Sequence, residues 1–463
     1  MTASDAPSSP SQPYDLAVVG GGVSGLSAAH AARRAGRSAV VLERSAAPGG
    51  SVHTLRQDGF LAEGGPHTLL LSDPRVSDWL EELGLLAQAV DANPAAAKRF
   101  ILRGGVPTPL PHSAGSFLFG GWMSAGGKLR LLAEPFRHGR PPAGEESIGH
   151  WFRRHFGEEA AATILDPFVS GIYAGDPDQL SLSAAFPRIE EAASRHPSAV
   201  RSFLRTAKER KKSGERRPKR RLVSFPEGLG QLPATLAAEL GPAVRTRQDL
   251  QSITRESEGW RLTVNGEDLR ARRLLLALPP EALARLPLPA DLHGELQALT
   301  TIVSPPLTGV AVGYRREQIR HPLDGFGVLC PFRERRKILG ILFDTTLFPG
   351  RAPEGQVLLS VFLGGRRQED PTVLDEDALR ARVLGEARDI LGIEGEPTLF
   401  HPVHWPHAIP QYDLGYHRYG ELFDRLEARE TGLTFAGNTR DGVALGNCVL
   451  SGKDRAEKIL GIA

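Results

Sequence analysis

Asp15-Leu16-Ala17-Val18-Val19-Gly20-Gly21-Gly22-Val23-Ser24-Gly25-Leu26, followed by Val40-Val41-Leu42-Glu43, decides how this chain begins to fold. An apolar strand runs into three glycines. A helix-forming run follows over Ser24 to Arg34, and a second strand ends on an acid 18 residues after Gly25. That order is the βαβ fingerprint of a dinucleotide site. Gly20 permits the tight turn, Gly22 has no side chain to block a pyrophosphate, and Gly25 lets the helix close on the strand. The helix N-terminus offers free N–H groups and a favourable dipole to phosphates. Glu43 is placed to accept hydrogen bonds from ribose hydroxyls. By itself the stretch implies an adenine dinucleotide, against the plainer alternative of a turn between packed elements.

Two further glycine motifs narrow the cofactor to FAD. Arg44-Ser45-Ala46-Ala47-Pro48-Gly49-Gly50-Ser51 resembles the second glycine pair of FAD-dependent oxidases and desaturases, and Phe60-Leu61-Ala62-Glu63-Gly64-Gly65-Pro66-His67 continues that resemblance. At the other end of the chain, Leu433-Thr434-Phe435-Ala436-Gly437-Asn438 runs through Gly442, Val443, Ala444, Leu445 and Gly446 to Gly452. It reads as a strand, a loop and a last helix through Ile459. In a two-ended FAD fold this helix points its N-terminus at the isoalloxazine, where its partial positive charge favours the anionic reduced ring.

The 463 residues are 41% hydrophobic, enough for two or three domains. A net charge of +2 excludes polyelectrolyte character. Two distant cysteines, Cys330 and Cys448, argue against a disulfide scaffold and suit a reducing compartment. No metal-ligand spacing of cysteine and histidine occurs, so no metal is expected. Residues 1–12 read as a loose polar tail rather than a signal peptide. No apolar run reaches the length of a spanning helix, so any membrane contact is expected to be peripheral.

Along the chain, Ser72-Asp73-Pro74 caps a short helix whose Val76, Trp79, Leu80 and Leu83 share one face. Arg99 to Arg103 and Val106-Pro107 read as paired strands. From about 110 to 221 the sequence turns helical, with Phe117, Phe119, Trp122 and Met123 in a glycine- and serine-rich setting. It ends in a basic run from Lys208 to Arg221. Those charges read either as a solvated face or as attraction to anionic lipid. The run lacks interleaved stacking aromatics, so nucleic acid is not an expected partner. Runs at 307–314, 326–332, 338–344 and 357–363 suggest a largely antiparallel sheet. Leu379, Val383, Ala387 and Leu391 mark a helix over 374–391.

Asp166-Pro167-Phe168-Val169-Ser170-Gly171-Ile172-Tyr173-Ala174-Gly175-Asp176-Pro177 resembles the central motif of the FAD-dependent, oxygen-using protoporphyrinogen oxidase family. Gly325 to Leu329, His404-Trp405-Pro406-His407-Ala408-Ile409-Pro410-Gln411-Tyr412 and the Ala436–Gly452 stretch are similar to the same family. The resemblance runs from about residue 14 to the end. It implies an α/β fold: a Rossmann-like FAD-binding domain of amine oxidase type, a mixed α+β substrate domain and a helical membrane-associated insertion. The expected division gives 13–90, 222–290 and 428–463 to FAD, 91–109 and 291–427 to the substrate, and 110–221 to the insertion. The implied substrate is a porphyrinogen that loses hydrogen in three two-electron steps, with dioxygen reoxidising the flavin to give hydrogen peroxide. The implied location is cytoplasmic, peripheral on the cytoplasmic face of the membrane, and a homodimer stays open.

The resemblance also carries residue roles. Arg99 matches an arginine that pairs with a propionate, a task suited to its planar fork. Leu329, Leu342 and Phe362 match positions that sandwich the pyrrole rings, and Gly175 brings backbone carbonyls against the macrocycle. The positions expected against FAD are Gly20, Gly22, Val23, Ser24, Gly25, Glu43, Arg44, Gly49, Gly50, Ser51, Gly64, Gly65, Pro66, His67, Val244, Trp405, Gly437, Asn438, Val443, Ala444 and Leu445. No acid–base constellation stands out and no catalytic residue is assigned, although His67 invites a reading as a base. Three rivals remain. One is coproporphyrinogen oxidation by the same fold, which calls for a more cationic slot. Another is a flavin amine oxidase or desaturase, with Trp405 and Tyr412 as candidates for an aromatic cage. The last is a non-enzymatic flavin-bearing scaffold or porphyrin carrier.

Overall fold

The computed structural model describes residues 12–136, 144–194, 196, 198–212 and 220–462. The first strand, Tyr14–Val19, lies at the centre of a seven-stranded sheet. It pairs in parallel with Ala39–Leu42 on one side and with Glu267–Leu276 on the other. Val244–Arg245 extends one edge in parallel, and Leu433–Phe435 adds in parallel to Glu267–Leu276. Gly259–Val264 and Leu250–Glu256 finish the other side as antiparallel strands. Leu16, Ala17 and Val18 are all fully buried, which fits a parallel strand covered on both faces.

Helices cover both sides. On one, Val23–Arg34, Pro74–Glu82, Gln231–Leu240 and Leu445–Leu460 pack through Leu26, Trp79, Leu80, Leu236 and Val449. Asp73 caps the second of these through the N–H of Arg75, with Pro74 in its first turn. On the other side, Leu292, Leu296, Leu299, Tyr412, Phe423 and Leu426 close over Leu274, Leu276 and Phe435. The helices Ala290–Leu296 and His417–Arg429 therefore pack on this nucleotide-type sheet, although the sequence reading groups most of their residues with the substrate unit.

A second seven-stranded sheet runs in the order Leu399–Trp405, Leu307–Arg315, Gln356–Gly364, Gly340–Leu342, Gly327–Leu329, Phe100–Arg103, Val106–Pro109. All its pairings are antiparallel except Gly327–Leu329 with Phe100–Arg103. Two strands are shorter than their apolar runs suggest. Pro331 and the left-handed Arg335 (φ 53°) end one run and start the turn to the next. One face of the sheet, carrying Val310, Val312, Val328, Ile341, Leu359 and Val361, is sealed by the helix Glu376–Leu391 through Leu379, Val383 and Ala387.

The described residues between 114 and 212 are mostly helical, from Ala114–Phe119 through Ile148–Phe156 and Asp166–Tyr173 to Ala199–Lys212. The fully buried Glu134 carboxylate ties this region together. It takes His155 Nδ1 at 2.8 Å, Ser198 Oγ at 2.7 Å and the Ala199 N–H at 2.7 Å. Among the described residues no helix is long and apolar enough to cross a membrane. Most of the expected N-terminal tail, and residues 213–219 of the basic run, lie outside the described residues.

Candidate functional site

The nucleotide end is assembled from four glycine segments. Gly22 caps the helix Val23–Arg34 with no side-chain hydrogen bond, so the first-turn N–H groups have no side-chain acceptor. The Gly21 N–H donates to Glu43 Oε2 at 2.7 Å, and Ser45 N–H donates to Oε1 at 2.7 Å. These bonds draw the acid onto the glycine turn and leave its remaining lone pairs for hydroxyl donors. Val244 flanks this acid, since Val244–Arg245 pairs with Val41 and Leu42 and the Glu43 N–H donates to Arg245 O at 2.9 Å. Gly49 N–H reaches Gly21 O at 2.8 Å, which sets Gly50 beside Gly22. Ser51 and Arg44 are exposed next to them. The Gly65 backbone passes so close to the Ser51 carbonyl that no side chain fits there.

The C-terminal motif meets this cradle directly. The Gly452 backbone lies against the Ser24 carbonyl with no room for a Cβ, and Gly437 N–H donates to Ser451 Oγ at 2.8 Å. The last helix, Leu445–Leu460, starts at Ala444, again without a side-chain cap. Two uncapped helix N-termini, from opposite ends of the chain, thus belong to one pair of packed helices. Tyr412 holds the loop before the second helix: its hydroxyl donates to Asn438 O at 2.5 Å and accepts from the Gly442 N–H at 2.9 Å. It is only 4% exposed and stacks on Tyr416 with centroids 4.1 Å apart. Tyr412 is therefore a buried brace, which corrects its candidacy for an aromatic cage. A Cβ placed on Gly22 meets nothing within 4 Å, whereas one on Gly20, Gly25 or Gly452 collides with backbone. The open position stands beside uncapped helical N–H groups and an acid, a cradle that fits the diphosphate and ribose of FAD.

The substrate candidates come together on the second sheet. In register, Leu329 faces Gly340, Gly340 faces Phe362, and Phe362 faces Gly309; alongside, Gly327, Leu342, Ser360 and Ala311 form the next row. Paired positions share a face, so Leu329, Leu342 and Phe362 project together between rows of glycine, serine and alanine. All three are half-buried, unlike the sealed Val361 and Ile341 on the other face. Arg99 precedes the strand Phe100–Arg103 at the end of this floor. Its guanidinium lies 4.3 Å from the Phe326 ring centroid, and Phe326 and Leu342 pack against the same small cluster. Burial pushes the Arg99 guanidinium pKa down.

The floor abuts the nucleotide end. Phe60 packs with Ala311, Leu358 and Leu399. Trp405 Nε1 donates to Gly64 O at 3.0 Å, and the His67 ring meets Phe362 edge-on with centroids 5.2 Å apart. From the helical region, Gly171 comes so close to Leu329 that a Cβ would lie 2.9 Å from its Cδ2. Gly175 sits further along, with Ser170, Ala174, Cys330, Phe332 and Arg367 around a small cavity, and its backbone is pressed against Gln411 Oε1. The floor thus lies between the Gly64–His67 segment and the helix Asp166–Tyr173.

The structure adds residues that sequence reasoning did not single out. Asp344 Oδ1 lies 2.9 Å from His67 Nδ1. Arg351 lies 3.4 Å from Glu63 Oε1, both being 3% exposed. Burial raises the Glu63 carboxyl pKa and lowers the Arg351 guanidinium pKa, each towards its neutral form. Gln411 Nε2 donates to Tyr173 O at 2.8 Å. These partners are hundreds of residues apart, and no periodicity or motif links them.

A family model described as flavin containing amine oxidoreductase matches residues 23–460. Protoporphyrinogen oxidase 2, chloroplastic/mitochondrial, of Arabidopsis thaliana is 30% identical over 96% of this chain and 93% of its own length. Coproporphyrinogen III oxidase of Bacillus subtilis (strain 168) is 26% identical over 95% of this chain and 96% of its own. A solved structure from Exiguobacterium sp. 255-15, provisionally named a protoporphyrinogen oxidase, aligns with TM-score 0.82 at 25% identity, covering 97% of this chain and 99% of that one.

Proposed function

The chain belongs to the flavin containing amine oxidoreductase family, with FAD as its cofactor and the protoporphyrinogen and coproporphyrinogen oxidases as close relatives; we propose that it oxidises protoporphyrinogen IX to protoporphyrin IX. When bound, FAD would supply the two-electron redox chemistry needed three times per porphyrinogen, with dioxygen as the final oxidant and hydrogen peroxide as the by-product. The observation that carries this reading is the floor: a flat, half-buried apolar face with Arg99 at its end, set against the Gly64–His67 segment. A large apolar disk with carboxylates on one edge matches that shape. Leu329, Leu342 and Phe362 receive the rings, Arg99 pairs with a propionate, and the Gly171–Gly175 backbone closes from the helical side. Binding energy spent on holding one methylene bridge over the oxidant is the main contribution of these residues.

The cofactor residues follow the same logic. Gly22, Val23 and Ser24 face the diphosphate, with Gly49 and Gly50 beside them. Glu43 receives the ribose, with Val244 at the adenosine edge, while Val443, Ala444 and Leu445 begin the helix that faces the flavin end. Peripheral attachment to the cytoplasmic face of the membrane belongs to the proposal. It is supported by Phe119 and Phe136, 89% and 77% exposed, with Leu129 and Leu204 at 68% and 65%, all in the helical segment.

Anaerobic mixing of the holoenzyme with each porphyrinogen tests the substrate. Protoporphyrinogen should bleach the flavin and yield porphyrin fluorescence at the higher rate. A strong preference for coproporphyrinogen, whose four propionates call for more than one cation at the floor, would overturn the choice. Peroxide formation from an amine without porphyrin product would return the chain to amine oxidation.

A further inference from the structure

His67 and Asp344 form a buried pair at the edge of the substrate floor, next to Glu63 and Arg351. Their side chains are 11% and 7% exposed, and Nδ1 lies 2.9 Å from Oδ1. The second oxygen of Asp344, Oδ2, is buried with no hydrogen-bond partner. A buried carboxylate without full hydrogen bonding is costly, so this one calls for a compensating positive charge. Arg351 also acts on Asp344 through space, but makes no hydrogen bond to it. Arg351 and Glu63 compensate each other at 3.4 Å, and Arg351 Nη2 is spent on Ser224 Oγ at 2.5 Å. His53, beside Gly64, is exposed, and Arg56, which also faces Arg351, is paired with Glu227 at the surface. Among the described residues, His67 is the group that contacts the Asp344 carboxylate directly.

We infer that His67, oriented by Asp344, accepts the proton that porphyrinogen oxidation releases. The inference rests on the substrate proposed above. Each two-electron step breaks a methylene C–H bond, and its electron pair leaves with the hydrogen as hydride to FAD. The remaining cation is conjugated to pyrrole N–H groups. In two of the steps an N–H bond then breaks and its electrons complete a C=N bond; in the other, the C–H bond of the remaining methylene bridge breaks and its electrons complete a C=C bond, so that four methine carbons and two N–H groups remain. In each step the proton is bonded to Nε2 of His67, which returns it to solvent before the next. Hydride and proton together account for the two hydrogens lost per step. Asp344 contributes in two ways. Its hydrogen bond keeps the N–H on Nδ1, which leaves the Nε2 lone pair bare. Its negative charge then balances the imidazolium. The ring of His67 is fixed edge-on to Phe362, a floor residue, which sets Nε2 within the same neighbourhood as the substrate. Asp344 is a positioning residue in this scheme and His67 the proton acceptor.

The test uses holoenzyme of His67→Ala, His67→Asn and Asp344→Asn, each first shown to retain stoichiometric flavin. Anaerobic reduction by protoporphyrinogen should slow by roughly 10²- to 10⁴-fold in His67→Ala. The acid-side fall of the wild-type rate, where a base becomes protonated, should vanish with it. Added imidazole should restore the His67→Ala rate by about tenfold or more and leave wild type unchanged, which a purely structural histidine would not do. A readout independent of turnover comes from ¹⁵N-histidine NMR of the resting holoenzyme. It should report the Nδ1–H form for His67 in wild type and a mixture of tautomers in Asp344→Asn. Loss of less than about tenfold in both His67 variants, with the pH profile intact and no imidazole rescue, would overturn the inference while leaving the substrate assignment standing. Wild-type flavin that no porphyrinogen bleaches would instead overturn the proposed function and this inference with it.

Discussion

Gly22→Ala separates cofactor binding from folding more cleanly than any other change at the nucleotide end. At this position φ is −70° and ψ is 175°, a conformation open to alanine, and the added methyl meets nothing within 4 Å. Alanine is a poorer helix N-cap than glycine, which costs the folded chain on the order of 1 kcal/mol or less. The cofactor loses more. The methyl occupies the space beside the uncapped first turn and holds the diphosphate off its N–H groups. One charge-assisted hydrogen bond is worth about 1.5–3 kcal/mol and the helix dipole about 0.3–1 kcal/mol. The combined loss of roughly 2–4 kcal/mol is a 30- to 800-fold rise in the FAD dissociation constant. Gly25→Ala gives the contrasting result. Its Cβ would overlap the Gly20 carbonyl oxygen and lie 3.1 Å from Val18 Cγ1, so strand and helix must part. Such overpacking costs about 1–3 kcal/mol of stability. Flavin titration of the apoprotein and thermal unfolding without flavin measure both. If Gly22→Ala binds FAD within threefold of wild type, or if its apoprotein melts as low as that of Gly25→Ala, the diphosphate does not lie at Gly22.

Arg99→Ala should raise KM for protoporphyrinogen roughly 10- to 100-fold, as expected for a lost charge-assisted pair, with flavin content unchanged; an unaltered KM removes Arg99 from the site. Replacing Phe119 and Phe136 together by serine should weaken sedimentation with anionic vesicles while leaving the fold intact, since both rings are largely exposed; unchanged partitioning refutes a lipid role for this face. Burial between Phe100 and Phe343, with centroids 5.0 and 5.4 Å away, holds His321 below the ordinary histidine pKa range. The folded state then binds fewer protons than the unfolded one, so stability is present above the unfolded pKa and is lost as pH falls through about 6.5 and below. The denaturant midpoint should drop between pH 7 and 5, and less so in His321→Asn, which can still accept the Leu323 N–H; a wild-type midpoint flat over this range refutes the assignment.

The nucleotide sheet was legible because each of its signals is local. Gly20 to Gly25 and Glu43 lie within one βαβ unit, and Asp73, Pro74 and Leu83 frame a helix within a dozen residues. The antiparallel runs at 307–314 and 357–363 were legible through their apolar, β-branched content, and they pair residue for residue. Strand ends were not, because a left-handed residue such as Arg335 stops a run that hydropathy alone would continue. The packing of Ala290–Leu296 and His417–Arg429 on the first sheet was also hidden, since an apolar helical face does not name its partner. The site splits the same way. Glycines that shape a cradle announce themselves by motif, whereas His67–Asp344 and Glu63–Arg351 join segments that only the tertiary fold brings together.

What turns the second sheet into a floor is the size of the residues that alternate along it. Val310, Val312, Leu359 and Val361 point to the helix Glu376–Leu391 and supply a conventional core. Their neighbours in sequence, Gly309, Ala311, Ser360 and Phe362, point the other way, and only Phe362 is large. Across the next strands the pattern repeats with Gly340 beside Leu342 and Gly327 beside Leu329. The small residues leave this face only partly covered, by Phe60, His67 and Trp405 from the nucleotide side and by Gly171 from the helix Asp166–Tyr173. At its centre the half-buried Leu329, Leu342 and Phe362 stand among glycine, alanine and serine, while the large Ile101, Leu358 and Leu399 of the same face are buried at its margins. The same contacts lock the floor to the cradle: Trp405 through the Gly64 carbonyl, and His67 through both Phe362 and Asp344. The spacing of floor and cradle is thereby set by the Gly64–His67 segment, which holds Trp405 at one end and Phe362 at the other, the kind of fixed geometry that reaction over a short gap demands.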